Sequence, residues 1–163
     1  MRIIIDDLSG QAIADFLEEH IRDMRSVSPP ESKHALDLDG LRQPDIIFWS
    51  VYQEDRLVAC GALKELDPHH GELKSMRVAR EVRGQGLASQ LLLHILDTAQ
   101  SRGYRRISLE TGSMDFFKPA VALYARHGFR PCPPFGDYRE DPNSVFMTLE
   151  LRGGQPGNRY CTE

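Results

Sequence analysis

Cysteine is scarce in this chain. Its 163 residues hold three, Cys60, Cys132 and Cys161, far apart and with no CxxC among them. That argues against a disulfide scaffold and predicts free thiols in a reducing cytoplasm. Surplus positive charge is also missing. Twenty Lys and Arg against 24 Asp and Glu leave a net charge of -4, which argues against nucleic acid or a membrane surface as a broad partner. No apolar run approaches the ~20 residues of a membrane span. The opening MRIIIDDLSG reaches an acid at its sixth residue, unlike a secretory leader. There are no internal repeats and no low-complexity tract.

What is present suits one globular domain with a core of its own, since apolar residues make up 40% of the chain and charged ones 27%. The domain is expected over 1–152. The polar tail 153–163, GGQPGNRYCTE, is expected to lie outside it.

RIIID (2–6) reads as a first strand. Ser9 is placed to cap a helix from Gly10 to about Arg25, with Ile13, Phe16, Leu17, Ile21 and Met24 at helical spacing. SPPES (28–32) breaks it, and HALDLDGL has room for one helical turn before Pro44. DIIFWSVYQ (45–53) is apolar on both faces, as a central strand is. EDR turns the chain into LVACGALKEL (57–66), and DPHHG (67–71) turns it again into ELKSMRV (72–78). The middle of the chain therefore reads as an antiparallel meander. A second helix follows, with Leu87, Leu91, Leu92, Ile95, Leu96 and Ala99 on one face and Gly103 at its end. RRISLE (105–110) is a strand. Pro119 opens a third helix that turns Ala120, Leu123 and Tyr124 inward. SVFMTLEL (144–151) is the last strand. The sum is α/β: a mixed sheet covered by helices.

The informative stretch is EVRGQGLASQLLLHIL (81–96), where two glycines lead straight into an apolar helix. Amides at a helix N-terminus have no partner within the helix, and the helix dipole adds positive potential there. Glycine lets the backbone turn tightly and approach an anion. Amides from Arg83 to Ala88 would then form a phosphate cradle, and Arg77, Arg80 and Arg83 are spaced either to add a basic patch or to form a solvated face. A P-loop is excluded, because no Lys-Ser/Thr pair closes the motif. A dinucleotide fingerprint for NAD nearly fits, with Ser89 in place of its third glycine and Glu110 near where a ribose-binding acid sits. An antiparallel meander is the wrong lead-in for it. A plain strand-to-helix turn stays open.

MRVAREVRGQGLASQLLLHIL followed by ALYARHGF resembles the GNAT N-acetyltransferases. Their Q/R-x-x-G-x-G/A motif falls on Glu81, Val82, Arg83, Gly84, Gln85 and Gly86, with Glu81 departing from the usual residue. Their L-Y-x-x-x-G-F signature is complete in Leu123, Tyr124, Gly128 and Phe129. An Asn common before that signature is replaced by Phe117. The order of elements matches from strand 2–6 to strand 144–151. SPPES, LETGSM and DPNSVFMTLEL further resemble a branch of small bacterial members of the family.

The resemblance implies a GNAT fold: a mixed, mostly antiparallel twisted sheet, with a V-shaped splay between the parallel strands 72–78 and 106–110. It implies acetyl-CoA as co-substrate and no metal. The pyrophosphate would sit on Arg83, Gly84, Gln85, Gly86, Leu87 and Ala88. Backbone groups of Met76, Arg77 and Val78 would pair with the pantetheine arm. The reaction is direct attack of a primary amine, on a small molecule, upon the thioester. Tyr124 would protonate the leaving thiolate, and Glu72 would take the amine's proton. Glu110 is the alternative base, or a grip on a cationic substrate. Phe135 and Tyr138 stand in or beside the run 136–144 and are candidates to line the acceptor pocket. His69 and His70 are adjacent on a turn, an arrangement that seldom converges on one ion. A non-catalytic acyl-CoA-binding module on the same fold, and a monomer or a homodimer, stay open.

Overall fold

The computed structural model describes residues 1–27 and 38–151. SPPES and the tail 153–163, with Cys161, lie outside the described residues. A seven-stranded sheet runs in the order β1-β2-β3-β4-β5-β7-β6. Its strands are β1 (Arg2–Ile5), β2 (Ile46–Gln53), β3 (Arg56–Asp67), β4 (His70–Val78), β5 (Arg106–Gly112), β6 (Arg130–Pro131) and β7 (Ser144–Glu150). The helices are α1 (Gln11–Val27), α2 (Leu38–Leu41), α3 (Leu87–Ser101) and α4 (Lys118–Arg126). The fold is α/β, and among the described strands β4 and β5 make the one parallel pair. A dinucleotide fold needs consecutive parallel units, so the near-fingerprint at Gly84 belongs to a different architecture.

The period-two alternation of the meander divides the core. Trp49, Val51, Ala59 and Leu63 face α3, whose Leu91, Leu92, Ile95, Leu96 and Ala99 are all buried. Phe48, Cys60 and Ala62 face the other way, onto Ile13 and Leu17 of α1 and Leu41 of α2. Burying each such aliphatic side chain is worth roughly 1.5–3 kcal/mol, and this fixes the helices on opposite faces of the sheet.

Several local expectations shift. Gly10, not Ser9, directly precedes α1, because the Ser9 hydroxyl donates to Asp7 Oδ1 at 2.6 Å. The DPHHG turn is tighter than its sequence suggests. Asp67 Oδ1 accepts the His69 amide at 2.7 Å, so His70 and Gly71 already belong to β4. Glu72 is therefore the third residue of its strand rather than the first. β5 extends two residues beyond Glu110, which is thus not at its end. Short 3-10 turns at Arg80–Val82 and Asp115–Phe117, and the two-residue β6, have no periodic signal in the sequence.

Candidate active site

β4 and β5 run together for only four residue pairs, from His70↔Arg106 to Leu73↔Leu109. Beyond them β4 stays on β3 as far as Val78↔Ala59, and β5 stays on β7 as far as Gly112↔Ser144. The sheet therefore splits into the V that the resemblance implied. A bulge helps to open it. Between Ala62↔Lys74 and Cys60↔Arg77, β4 spends one residue more than β3, and Ser75 takes a left-handed φ of 58°. Such bulges re-aim strands beside active sites. The Cys60 thiol bonds the Ser75 carbonyl at 3.2 Å, and burial pushes it up to about 12, so it is a packing group rather than a nucleophile.

A cavity of about 520 Å³ fills the V. One end is the glycine cradle. Gly84 and Gly86 have φ of 85° and 81°, a region closed to most side chains, and Gly86 stands directly before α3. The first amide bonded back into this turn is that of Gln90, to the Gly86 carbonyl at 3.1 Å, which leaves the amides of Leu87, Ala88 and Ser89 without a helical partner. The side chain of Gln85 points elsewhere and meets Gln53 at 3.3 Å. That of Glu81 forms an exposed ion pair with Arg56. The expected basic patch does not form as such. Arg77 is 7% exposed and bonds Glu19 (2.7 Å) and Asp23 (3.0 Å) of α1, and Arg80 also approaches Asp23. The Arg77 guanidinium pins α1 to the sheet instead of facing an anion.

Six residues along β4 from Val78, roughly 20 Å at strand rise, the other end of the cavity is acidic. Glu72 is buried, which removes the reading of a solvated edge charge. Its Oε2 accepts from Lys74 Nζ (3.0 Å) and from the Tyr138 hydroxyl (2.6 Å), and Lys74 also donates to that hydroxyl at 3.2 Å. Burial, and then the Glu72 charge, hold the Tyr138 phenol far above its ordinary range. Glu110 lines the same end and accepts from the Ser144 hydroxyl at 2.7 Å. Burial raises its carboxyl to about 7, with Glu72 and Asp141 adding to the rise and Ser144 and Lys74 opposing it.

Tyr124, on α4, lines the cavity. It packs against Phe129 at 5.7 Å, is 6% exposed, and its hydroxyl has no hydrogen-bond partner among the described residues. Burial alone pushes the phenol well up, so it stays protonated. Phe117 lies against Gly112 so closely that an added Cβ there would stand 2.1 Å from the ring. Gly112→Ala is expected to cost about 1–3 kcal/mol by overpacking, read as a lower Tm; an unchanged Tm would mean the ring moves freely.

Phe135 is placed differently from the expectation. It is outside the cavity lining and packs edge-to-face with Tyr138 (5.1 Å) and Phe146 (6.0 Å). His70 bonds Ser108 at 2.7 Å through Nε2. Sequence reasoning missed Lys74, Ser144 and the bulge at Ser75. Lys74 was findable, because it is two residues from Glu72 and so on the same strand face. Ser144 comes from a strand 34 residues from Glu110, and no local signal links them.

The family description "Acetyltransferase (GNAT) family" matches residues 13–129. A Bacillus subtilis (strain 168) protein, "uncharacterized N-acetyltransferase YsnE", is 55% identical over 93% of this chain and 100% of its own length. An Escherichia coli (strain K12) protein, "uncharacterized N-acetyltransferase YedL", is 50% identical over 90% of this chain and 92% of its own. Among solved structures, a GNAT family acetyltransferase from Elizabethkingia anophelis with acetyl-CoA bound shares the fold, with TM-score 0.62, 18% identity, and coverage of 92% of this chain and 97% of that one. With its two motifs, its splayed sheet and these relatives, the chain belongs to the GNAT family of acetyltransferases and is an acyltransferase.

Proposed function

We propose that the protein moves an acetyl group from acetyl-CoA to the primary amine of a small molecule, by direct attack. The observation that carries this reading is the cavity itself. One channel joins a cradle of unpaired amides to a buried tyrosine and two carboxylates, Glu72 buried and Glu110 half-buried. The pyrophosphate is held by the cradle between Arg83 and Ala88, and the backbone of Met76, Arg77 and Val78 receives the pantetheine arm. The bound acetyl-CoA of the Elizabethkingia relative supports this choice of cargo.

The chemistry needs a neutral amine, a polarised carbonyl and a proton for the departing sulfur. Tyr124 supplies that proton, being a phenol kept protonated by burial. Of the two acids, Glu110 takes the amine's proton. A carboxyl near 7 is poised to exchange protons at neutral pH, whereas Glu72 is engaged by Lys74 and Tyr138. Glu72 then orders that end of the channel.

The first test is the melting temperature with acetyl-CoA, CoA and NAD side by side. A ligand that binds only the folded state stabilises it by roughly 2.7 kcal/mol at a hundred times its dissociation constant. A rise with acetyl-CoA and CoA but not with NAD is expected. A rise with NAD alone, or none at all, would sink the cradle's assignment.

A further inference from the structure

The acceptor end of the channel has a definite charge balance, and it bears on the substrate class within the reading just given. Among the described residues, four that carry cationic side chains line the cavity: Lys74, Arg77, Arg83 and Arg126. Arg83 is at the cradle, and Arg126 is in the last turn of α4. Arg77 is neutralised by Glu19 and Asp23. That leaves Lys74 as the cation lining the acceptor end. Its side chain is 9% exposed, and its ammonium lies 3.0 Å from Glu72 Oε2 and spends a second donor on Tyr138. His20 reaches the wall from α1, and burial, with Arg77 nearby, depresses it to about 4, so it is neutral at physiological pH.

Glu110 faces the channel, and Asp141 stands close enough to raise its pKa. An entering ammonium meets a complementary field and a proton acceptor. An entering carboxylate meets the Glu110 carboxyl, and the one cation lining this end among the described residues is already paired. Like charges brought together in a desolvated site repel strongly.

We infer that the acceptor is a cationic amine with no carboxylate beside its nitrogen, and that the ion-paired Lys74 and the carboxyl of Glu110 together disfavour α-amino acids. This rests on the acetyl-transfer reading. The same charge count makes Glu72 a specificity-determining residue. Removing its charge would release Lys74 as a free cation in the channel.

The test uses substrate pairs that differ only in that carboxylate: phenethylamine and phenylalanine, tyramine and tyrosine, cadaverine and lysine, agmatine and arginine. CoA release from acetyl-CoA gives kcat/KM, and the Tm shift in the presence of CoA gives binding. The amine of each responsive pair is expected to exceed its amino acid by about tenfold or more. In Glu72→Gln that ratio should move toward the amino acid by about tenfold or more, and a ratio taken within one variant cancels any general loss of turnover. An amino acid equal to or better than its amine in any responsive pair overturns the inference. So does an unchanged ratio in Glu72→Gln, or the absence of both turnover and binding for all four amines while acetyl-CoA still raises Tm. If acetyl-CoA itself fails to raise Tm, the acetyl-transfer reading falls instead.

Discussion

Replacing Tyr124 with Phe should lower kcat by about 10²- to 10⁴-fold, the usual contribution of a positioned general acid. The Tm rise with acetyl-CoA should stay unchanged. The ring remains, with its packing on Phe129, so the pocket keeps its shape. Stability should change little, because the hydroxyl lines the cavity and gives up no hydrogen bond to the described residues. The substitution therefore separates chemistry from binding. A kcat within a fewfold of wild type would show that the thiolate leaves without help from this residue. A fall in kcat matched by a lost Tm rise would mean the phenol acts in holding the co-substrate.

Glu110→Gln should be nearly as damaging, and it has a second readout. In the wild-type protein kcat/KM should rise with pH through a limb near 7, as the carboxyl ionises. In Glu110→Gln that limb should vanish and the plateau rate should fall by about 10²- to 10⁴-fold. Glu72→Gln should keep the limb. A limb that survives in Glu110→Gln places the base elsewhere. Stability should move in the opposite sense. Burial raises the folded-state pKa of Glu110 above its unfolded value, so between those two values the native state binds more protons and stability falls as pH rises. The glutamine removes this penalty, which approaches roughly 3 kcal/mol at pH 8 by the usual 1.36 per pKa unit. Tm should therefore gain more from the substitution at pH 8 than at pH 5. A gain that does not depend on pH would mean the carboxyl is not destabilised by its burial.

Much of this was legible in the sequence, and the reasons differ by element. The meander and α3 were readable because alternation and helical spacing are local patterns. The buried leucines of α3 are the ones its periodicity selects. The cradle was readable because Gly84 and Gly86 mark dihedrals that other residues avoid. The V was legible only through resemblance, since nothing in β4 or β5 states where two strands 36 residues apart will part. What distinguishes the two acids was not legible. Both looked like strand-end charges. The difference between them arises from Lys74 and Tyr138 on one and Ser144 on the other, partners delivered by tertiary structure. Phe135 was placed in the lining for a similar reason: proximity in sequence to Tyr138 does not say which of two neighbouring rings lines the channel.

The splay also gives the sheet four edges instead of two. The outer pair is guarded by brevity: β1 has four residues, and β6 has two, one of them Pro131, which has no amide to offer. The inner pair faces itself across the V, with backbone groups of β4 past Leu73 and of β5 past Leu109 unpaired to each other. In most proteins such edges invite another chain to add a strand. Here the four residue pairs at the base block entry from below, and the first turn of α3 stands at the other end. A polypeptide strand would have to bring a side chain to alternate faces every ~3.3 Å. A thin arm with bare amides does not. On the function proposed above, the opening suits such an arm better than a polypeptide strand.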